Sequence, residues 1–302
     1  MTDRKYRLFG LDLQSCIALT GLDEVDFAQP DVVVSFGDID AALADLQDAP
    51  ITEYKTWRAS AKFFELTVPG IGRYLATGGN SVLIEPEAGA DARDLSAFFM
   101  GSGMAAILQQ RGFLTLHASA VETARGAALF VGRSGAGKST LCYALQQRGF
   151  SMIADDMSAL VAASDGSVTI MPSPPLNRLW GETLQQFPVD RPDRIAMRRR
   201  VDKFLVPSEN HCTAPRPVER IFFLTPYNRP DIVLRDMDTT ERVHRSGKFT
   251  FRRKVYRAQG LAEMHFRAIT GLAKTIPMTQ VFRPEGPFLL DELADAIVAE
   301  IG

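Results

Sequence analysis

The chain has 302 residues, enough for two domains or one large one, and its 46% hydrophobic and 23% charged content is that of an ordinary globular protein. A formal net charge of -2 argues against a general nucleic-acid binder. The three cysteines, Cys16, Cys142 and Cys212, are scattered and form no C-x-x-C pair, so neither a disulfide framework nor a cysteine zinc site is suggested. The residues Met1 to Arg7 are polar and lack a secretory apolar core, and no apolar run is long enough to span a bilayer. The expectation is a cytoplasmic, enzyme-sized protein with no nucleic-acid or membrane partner.

From Tyr6 to about Glu87 the pattern is mostly strand-like. Asp31 to Phe36 is a β-branched run, and Phe63–Val68, Gly72–Thr77 and Ser81–Glu85 read as a meander with turns at Pro69-Gly70 and Gly78-Gly79-Asn80. Asp38 to Leu46 reads as a short helix, and no catalytic cluster stands out in this region. Asp91 to Gln110 reads as a largely buried helix weakened by Gly101 and Gly103. Phe113 to Val121 is expected as one strand, and Phe150 to Ala154 as another that ends in Asp155-Asp156. A hairpin is expected around Asp165-Gly166, an extended link at Pro172 to Pro175, and a helix at Leu179 to Phe187. Strands are expected at 204–206, 218–224, 231–234 and 279–282, and helices at 261–273 and 289–301. The whole is α/β in class, α+β overall, with a strand-rich N-terminal region at 1–90 and a second domain at 91–302.

The stretch Gly132-Arg133-Ser134-Gly135-Ala136-Gly137-Lys138-Ser139-Thr140 matches the phosphate-loop pattern G-x-x-x-x-G-K-[ST] in full. An apolar run, Ala127 to Val131, precedes it as a buried strand, and Leu141 to Gln147 follows as a helix. That order aims backbone N–H groups and a helix N-terminus at a polyphosphate such as that of ATP. Lys138 is expected to reach the β- and γ-phosphates, and the Ser139 hydroxyl to ligate Mg2+. Asp155 and Asp156 fall at a strand end, where two adjacent carboxylates on an extended backbone point to opposite sides. One can hold the metal while the other faces an attacking hydroxyl; the plainer reading is one metal carboxylate beside an accidental neighbour. His117, alone on an apolar strand, is either a satisfied core residue or a partner of aspartate or phosphate. The basic stretches 198–203 and 245–257 are solvated faces, a cationic wall around the phosphoryl group, or a dock for an acidic peptide. Lys203 and Arg199 are the first choices for stabilising transferring charge.

His117-Ala118-Ser119-Ala120-Val121, the phosphate loop, Arg148-Gly149-Phe150 and Ala154-Asp155-Asp156 together resemble the catalytic core of the HPr kinase/phosphorylases, over 113–160. The resemblance implies a P-loop core shared with phosphoenolpyruvate carboxykinase, followed by a C-terminal α/β extension within the kinase domain. It further implies an ATP- and Mg2+-dependent kinase acting on a serine of a peptide or small protein. It makes Asp155 the base, His117 its support, and Asp156 with Ser139 the Mg2+ ligands. The second, phosphorolytic signature of that family is not found. In layout the chain is more similar to the HPr-kinase-like proteins associated with lasso-peptide precursors, through the strand-rich N-terminal region and Leu179-Trp180 after the prolines. A small-molecule hydroxyl kinase and a nucleotide-dependent regulator stay open, as does an oligomer.

Overall fold

Burial at every second residue folds the first part of the chain into a sheet: Leu11, Leu13 and Ser15 point inward, and Asp12 and Gln14 do not. The computed structural model describes residues 3–46, 50–163, 165–187, 192–199, 201–285 and 289–302. Its strands, in order, begin with β1 (Arg4–Leu8), β2 (Leu11–Ser15), β3 (Val32–Phe36), β4 (Thr52–Tyr54), β5 (Trp57–Ala59), β6 (Phe63–Val68), β7 (Gly72–Thr77) and β8 (Ser81–Pro86). These form an eight-stranded mixed sheet, in which β2, β3 and β8 run parallel and β5 to β8 form a meander. The turns at Gly70 and at Gly78-Gly79 have positive φ and fall where the sequence requires them. Helix α1 (Ile39–Ala44) is capped by Asp38 and buries Ile39 and Leu43.

The chain divides into two compact units, one of Met1–Leu114, Ala196–Val201 and Arg252–Phe266, the other of Thr115–Ile195, Asp202–Phe251 and Arg267–Gly302. The first division falls beyond residue 90 because the expected helix at 91–110 belongs to the first unit. Its parts are α2 (Ala92–Phe98), a π-helical turn (Phe99–Gly103) that takes up both glycines, and α3 (Met104–Gln110). Tyr74 Oη donates to Leu95 O at 3.2 Å and Gln110 Nε2 to Ala76 O at 3.1 Å, tying these helices to β7.

The expected strand at 113–121 is two strands, β9 (Leu114–Leu116) and β10 (Ala118–Thr123), with His117 at the break. Then come β11 (Gly126–Gly132), α4 (Lys138–Gln146), β12 (Met152–Ala154), β13 (Ser158–Ala162), β14 (Val168–Met171), β15 (Leu176–Trp180) and α5 (Gly181–Gln186). The helix expected from Leu179 starts at Gly181 instead, because Leu179 and Trp180 pair with Phe204 and Lys203. Next are β16 (Ile195–Ala196), β17 (Lys203–Pro207), β18 (Arg216–Tyr227), β19 (Val233–Asp236), α6 (Thr239–Lys248), α7 (Arg253–Ala258), α8 (Ala262–Thr275), β20 (Met278–Pro284) and α9 (Leu290–Ile301). The main sheet of the second unit has nine strands, with β11, β18 and β20 parallel neighbours whose carboxyl ends share one edge. Apolar positions of α4 and α9, among them Leu141, Leu145, Leu293 and Ile297, pack with Phe130, Phe222 and Val281 into one core. Among the described residues no helix is long and apolar enough to cross a membrane.

Candidate active site

The loop from Arg133 to Gly137 leaves the carboxyl end of β11, beside β18, and returns as α4. Gly132 lies so close to β18 that a Cβ there would stand 2.9 Å from Leu224 O and 3.0 Å from the Ala136 Cβ. Gly132→Ala is therefore expected to lower stability by about 1–3 kcal/mol, read as a lower urea midpoint with unchanged slope. Gly135 and Gly137 take φ of 80° and 90°, which lets the loop curl with its backbone exposed. Gly137 caps α4 without a side chain, so the first-turn N–H groups of the helix keep their polarity for a ligand.

Lys138 is 5% exposed and donates to Gly132 O and Arg133 O, both at 3.1 Å, closing the loop on itself. Burial pushes its ammonium down from the ordinary lysine value, against the pull of Asp156 and Asp155. From the far side the loop is held by Arg283, at the carboxyl end of β20. Its Nε donates to Ala136 O at 2.9 Å and its Nη2 to Gly135 O at 3.2 Å.

Asp155, 4% exposed, lies just past the end of β12. Its Oδ1 accepts from Ser119 Oγ at 2.5 Å, Ser139 Oγ at 2.7 Å and Asp156 N at 3.0 Å, and its Oδ2 from Arg178 N at 2.6 Å. The residues Asp155-Asp156 are not extended, as the sequence reading assumed. Asp156 has φ of 70°, in the left-handed region, and this turn rather than strand alternation separates the two carboxylates. The Asp156 side chain pairs with Arg178 Nη1 at 2.5 Å, lies 3.7 Å from Lys203 Nζ and 3.9 Å from His117 Nδ1. Burial alone would raise its carboxyl, but Arg178, Lys203, His117 and Lys138 outweigh it and hold the group well below the usual carboxylate range. Ser139, expected beside Asp156, is bonded to Asp155.

His117, at the break between β9 and β10, is fixed through its main chain, its N–H donating to Phe249 O at 2.9 Å. Its Nδ1 meets Asp156 O at 2.8 Å. A carbonyl only accepts, so Nδ1 carries the proton and a neutral ring keeps its lone pair on Nε2. Burial and Lys138 lower the imidazole from the ordinary histidine value, against Asp156, so the ring is neutral at pH 7.

His117, Lys138, Ser139, Asp156, Arg178 and Lys203 line one cavity of about 310 Å³ within the second unit. Lys203 is where the sequence reading put it, at the site. Arg199 is not: its Nε pairs with Asp91 Oδ2 at 2.9 Å in the first unit. Arg200 lies outside the described residues. Arg178 and Arg283 had escaped the sequence reading. The first lies on a strand mistaken for the lead-in to a helix, the second is one arginine in an apolar strand, and only position at the sheet's carboxyl edge could have marked it. Of the loop residues, Ser134, Gly135, Gly137 and Thr140 also face the 310 Å³ cavity, and Arg133, Ser134, Gly135 and Ala136 line a larger neighbouring groove. Among the described residues no three His, Cys, Asp or Glu side chains cluster to hold a metal. A cation here would take Ser139, Asp155 and oxygens brought by a ligand, which suits a hard ion such as Mg2+.

No protein-family model matches the sequence, and no curated protein does. Among solved structures the chain is similar to the Hpr(Ser) kinase/phosphatase from Coxiella burnetii, at 13% identity and a TM-score of 0.33, over 62% of this chain and 89% of that one.

Proposed function

We propose that the second unit transfers the terminal phosphoryl group of ATP to a hydroxyl, that of a serine on a peptide or small protein. The observation that carries this reading is the shared cavity: the phosphate-loop Lys138 and Ser139 face the same space as a neutral histidine and a cation-flanked carboxylate. A protein that binds nucleotide and neither transfers nor hydrolyses its terminal phosphate has no use for the second set.

The roles follow from the contacts. Asp155 accepts from four donors, Ser139 among them, and does not line the cavity that His117 and Asp156 share, so it is poorly placed to take an alcohol proton; by giving up the Ser139 hydrogen bond it would, with Ser139, hold the metal. Bound Mg2+ would supply charge neutralisation at the phosphates. The attacking oxygen forms a bond to the γ-phosphorus, the bond to the β-phosphate oxygen breaks, and ADP leaves. The hydroxyl proton passes to His117 Nε2, the base free to take it; this replaces the assignment of that role to Asp155. Asp156 keeps Arg178 and Lys203 aimed at the cavity, where their charge opposes that developing on the phosphoryl oxygens.

The test is transfer of labelled γ-phosphate to a panel of serine peptides, lasso precursor peptides included, and small alcohols, with Mg2+. Label on a seryl oxygen is expected; label only in inorganic phosphate, with every acceptor blank, overturns the proposal. Arg283 shapes the loop without touching the reacting atoms. Arg283→Gln should therefore weaken ATP binding about fivefold to tenfold in titration calorimetry while kcat changes less than about threefold.

A further inference from the structure

Beside the phosphoryl site, and sharing Ser134 and Gly135 with it, lies a groove of about 870 Å³ within the second unit. It is lined by the apolar Leu224, Pro226 and Phe249, by Arg133 from the loop, and by His244, Arg245 and Lys248 from α6. Phe249 O accepts from the His117 main-chain N–H at 2.9 Å, which ties one residue of the groove to the strand break that carries the proposed base.

Among the described residues the basic groups have no acidic partner at ion-pair distance, Glu241 acting on Arg245 only at longer range. Of the groove's carboxylates, Glu241 is committed: it forks onto Arg235, at 2.7 and 3.0 Å, and caps α6 with Asp238. Glu285 is the other acidic group at the rim. Among the described residues Arg133, His244, Arg245 and Lys248 form no ion pair, and Lys248 lies over the Phe249 ring at 5.9 Å. Helix polarity accounts for cations in the last turn of α6, where Arg245 and Lys248 sit, but not for Arg133 on another element. Burial lowers Arg245 from the ordinary arginine value; Glu241 opposes this, while Arg235 and Arg133 add to it.

Resting on the proposed transfer reaction, we infer that this groove binds the acceptor, and that the acceptor is an acidic peptide segment whose carboxylates flank the serine. The groove is far larger than the cavity that would take the phosphates. Its cations are strung out: Arg245 and Lys248 are separated by about 4.5 Å along the helix axis, and Arg133 stands on a different element. Several cations on two elements, interleaved with apolar side chains, fit several carboxylates on a chain better than one compact anion. The basic stretch 245–257 thus divides: Arg245 and Lys248 face the groove, and Arg252, Arg253, Lys254 and Arg257 belong to the first unit.

The experiment compares three fluorescein-labelled serine peptides of equal length whose flanking residues are Asp/Glu, Asn/Gln or Lys. The acidic peptide should exceed the neutral one in kcat/KM by about tenfold. In Arg245→Gln/Lys248→Gln the ratio should fall to about one, and in Arg245→Glu/Lys248→Glu the Lys-flanked peptide should become the preferred one. Because each ratio is taken within one variant, a general loss of folding cancels. Fluorescence anisotropy without nucleotide measures binding separately. Acidic-peptide binding that reverses with the charges, but without transfer, supports the groove and overturns the transfer reading. Transfer to serine peptides that ignores flanking charge overturns the acidic-peptide acceptor and leaves the transfer reading standing; label passing only to small alcohols overturns both the acidic peptide and the seryl acceptor.

Discussion

Asp155→Asn is expected to lower phosphoryl transfer about a thousandfold or more. Both carboxylate oxygens are acceptors for N–H and O–H donors, three on Oδ1 and Arg178 N on Oδ2. An amide must turn its NH2 toward one set, so a donor meets a donor in a buried place. That costs about 1–3 kcal/mol of stability, and circular dichroism at the assay temperature separates this loss from the catalytic one. The specific signature is in the metal. If Asp155 and Ser139 act as one unit, the half-saturating Mg2+ concentration rises in Asp155→Asn and in Ser139→Ala. The double variant should then lose no more than about threefold beyond the worse single one. Turnover near wild type in Asp155→Asn would remove this residue from the mechanism. Full additivity with Ser139→Ala would separate the pair.

His117→Asn is expected to lower kcat/KM about a hundredfold to a thousandfold. Asparagine keeps an N–H near the place of Nδ1, for Asp156 O, and lacks the lone pair assigned to Nε2. A base must be unprotonated to act, so the wild-type rate is lost as the pH falls through the His117 pKa and is level above it. Burial and Lys138 set that pKa below the ordinary histidine value, which places the acid limb below neutrality and the plateau across pH 7. The asparagine variant should have no such limb. An acid limb that persists in it assigns the titration to another group and His117 to a structural role. Asp156 is not expected to take over, since a carboxylate held low by Arg178 and Lys203 is a weak base.

What was legible in the sequence was local. The phosphate loop, the β6–β8 meander and the helix of α9 announce themselves within a few residues, through glycines at turns and apolar periodicity. What was not legible depends on distant strands becoming neighbours. Gly132 meets Leu224 and, one strand further, Leu224 meets Val281, so that Arg283 reaches the loop; no local pattern encodes that parallel order. Arg178 looks like any polar residue until β15 pairs with β17 and brings it, with Lys203, to Asp156. His117 sits in an unbroken apolar run, and the break appears only because its N–H is drawn to Phe249 rather than to a strand partner. The pair Asp155-Asp156 was visible as a pair, but its roles were not. They are divided by a left-handed turn that composition cannot reveal.

That turn also narrows the mutational alphabet at position 156. With φ of 70°, a side chain branched at Cβ is costly there, whereas asparagine is tolerated and glycine relieves about 1 kcal/mol of conformational strain. That relief offsets part of the lost pairing with Arg178. The substitutions the main chain accepts most readily are therefore those that erase the charge, so at position 156 backbone conformation and site chemistry select for opposite residues.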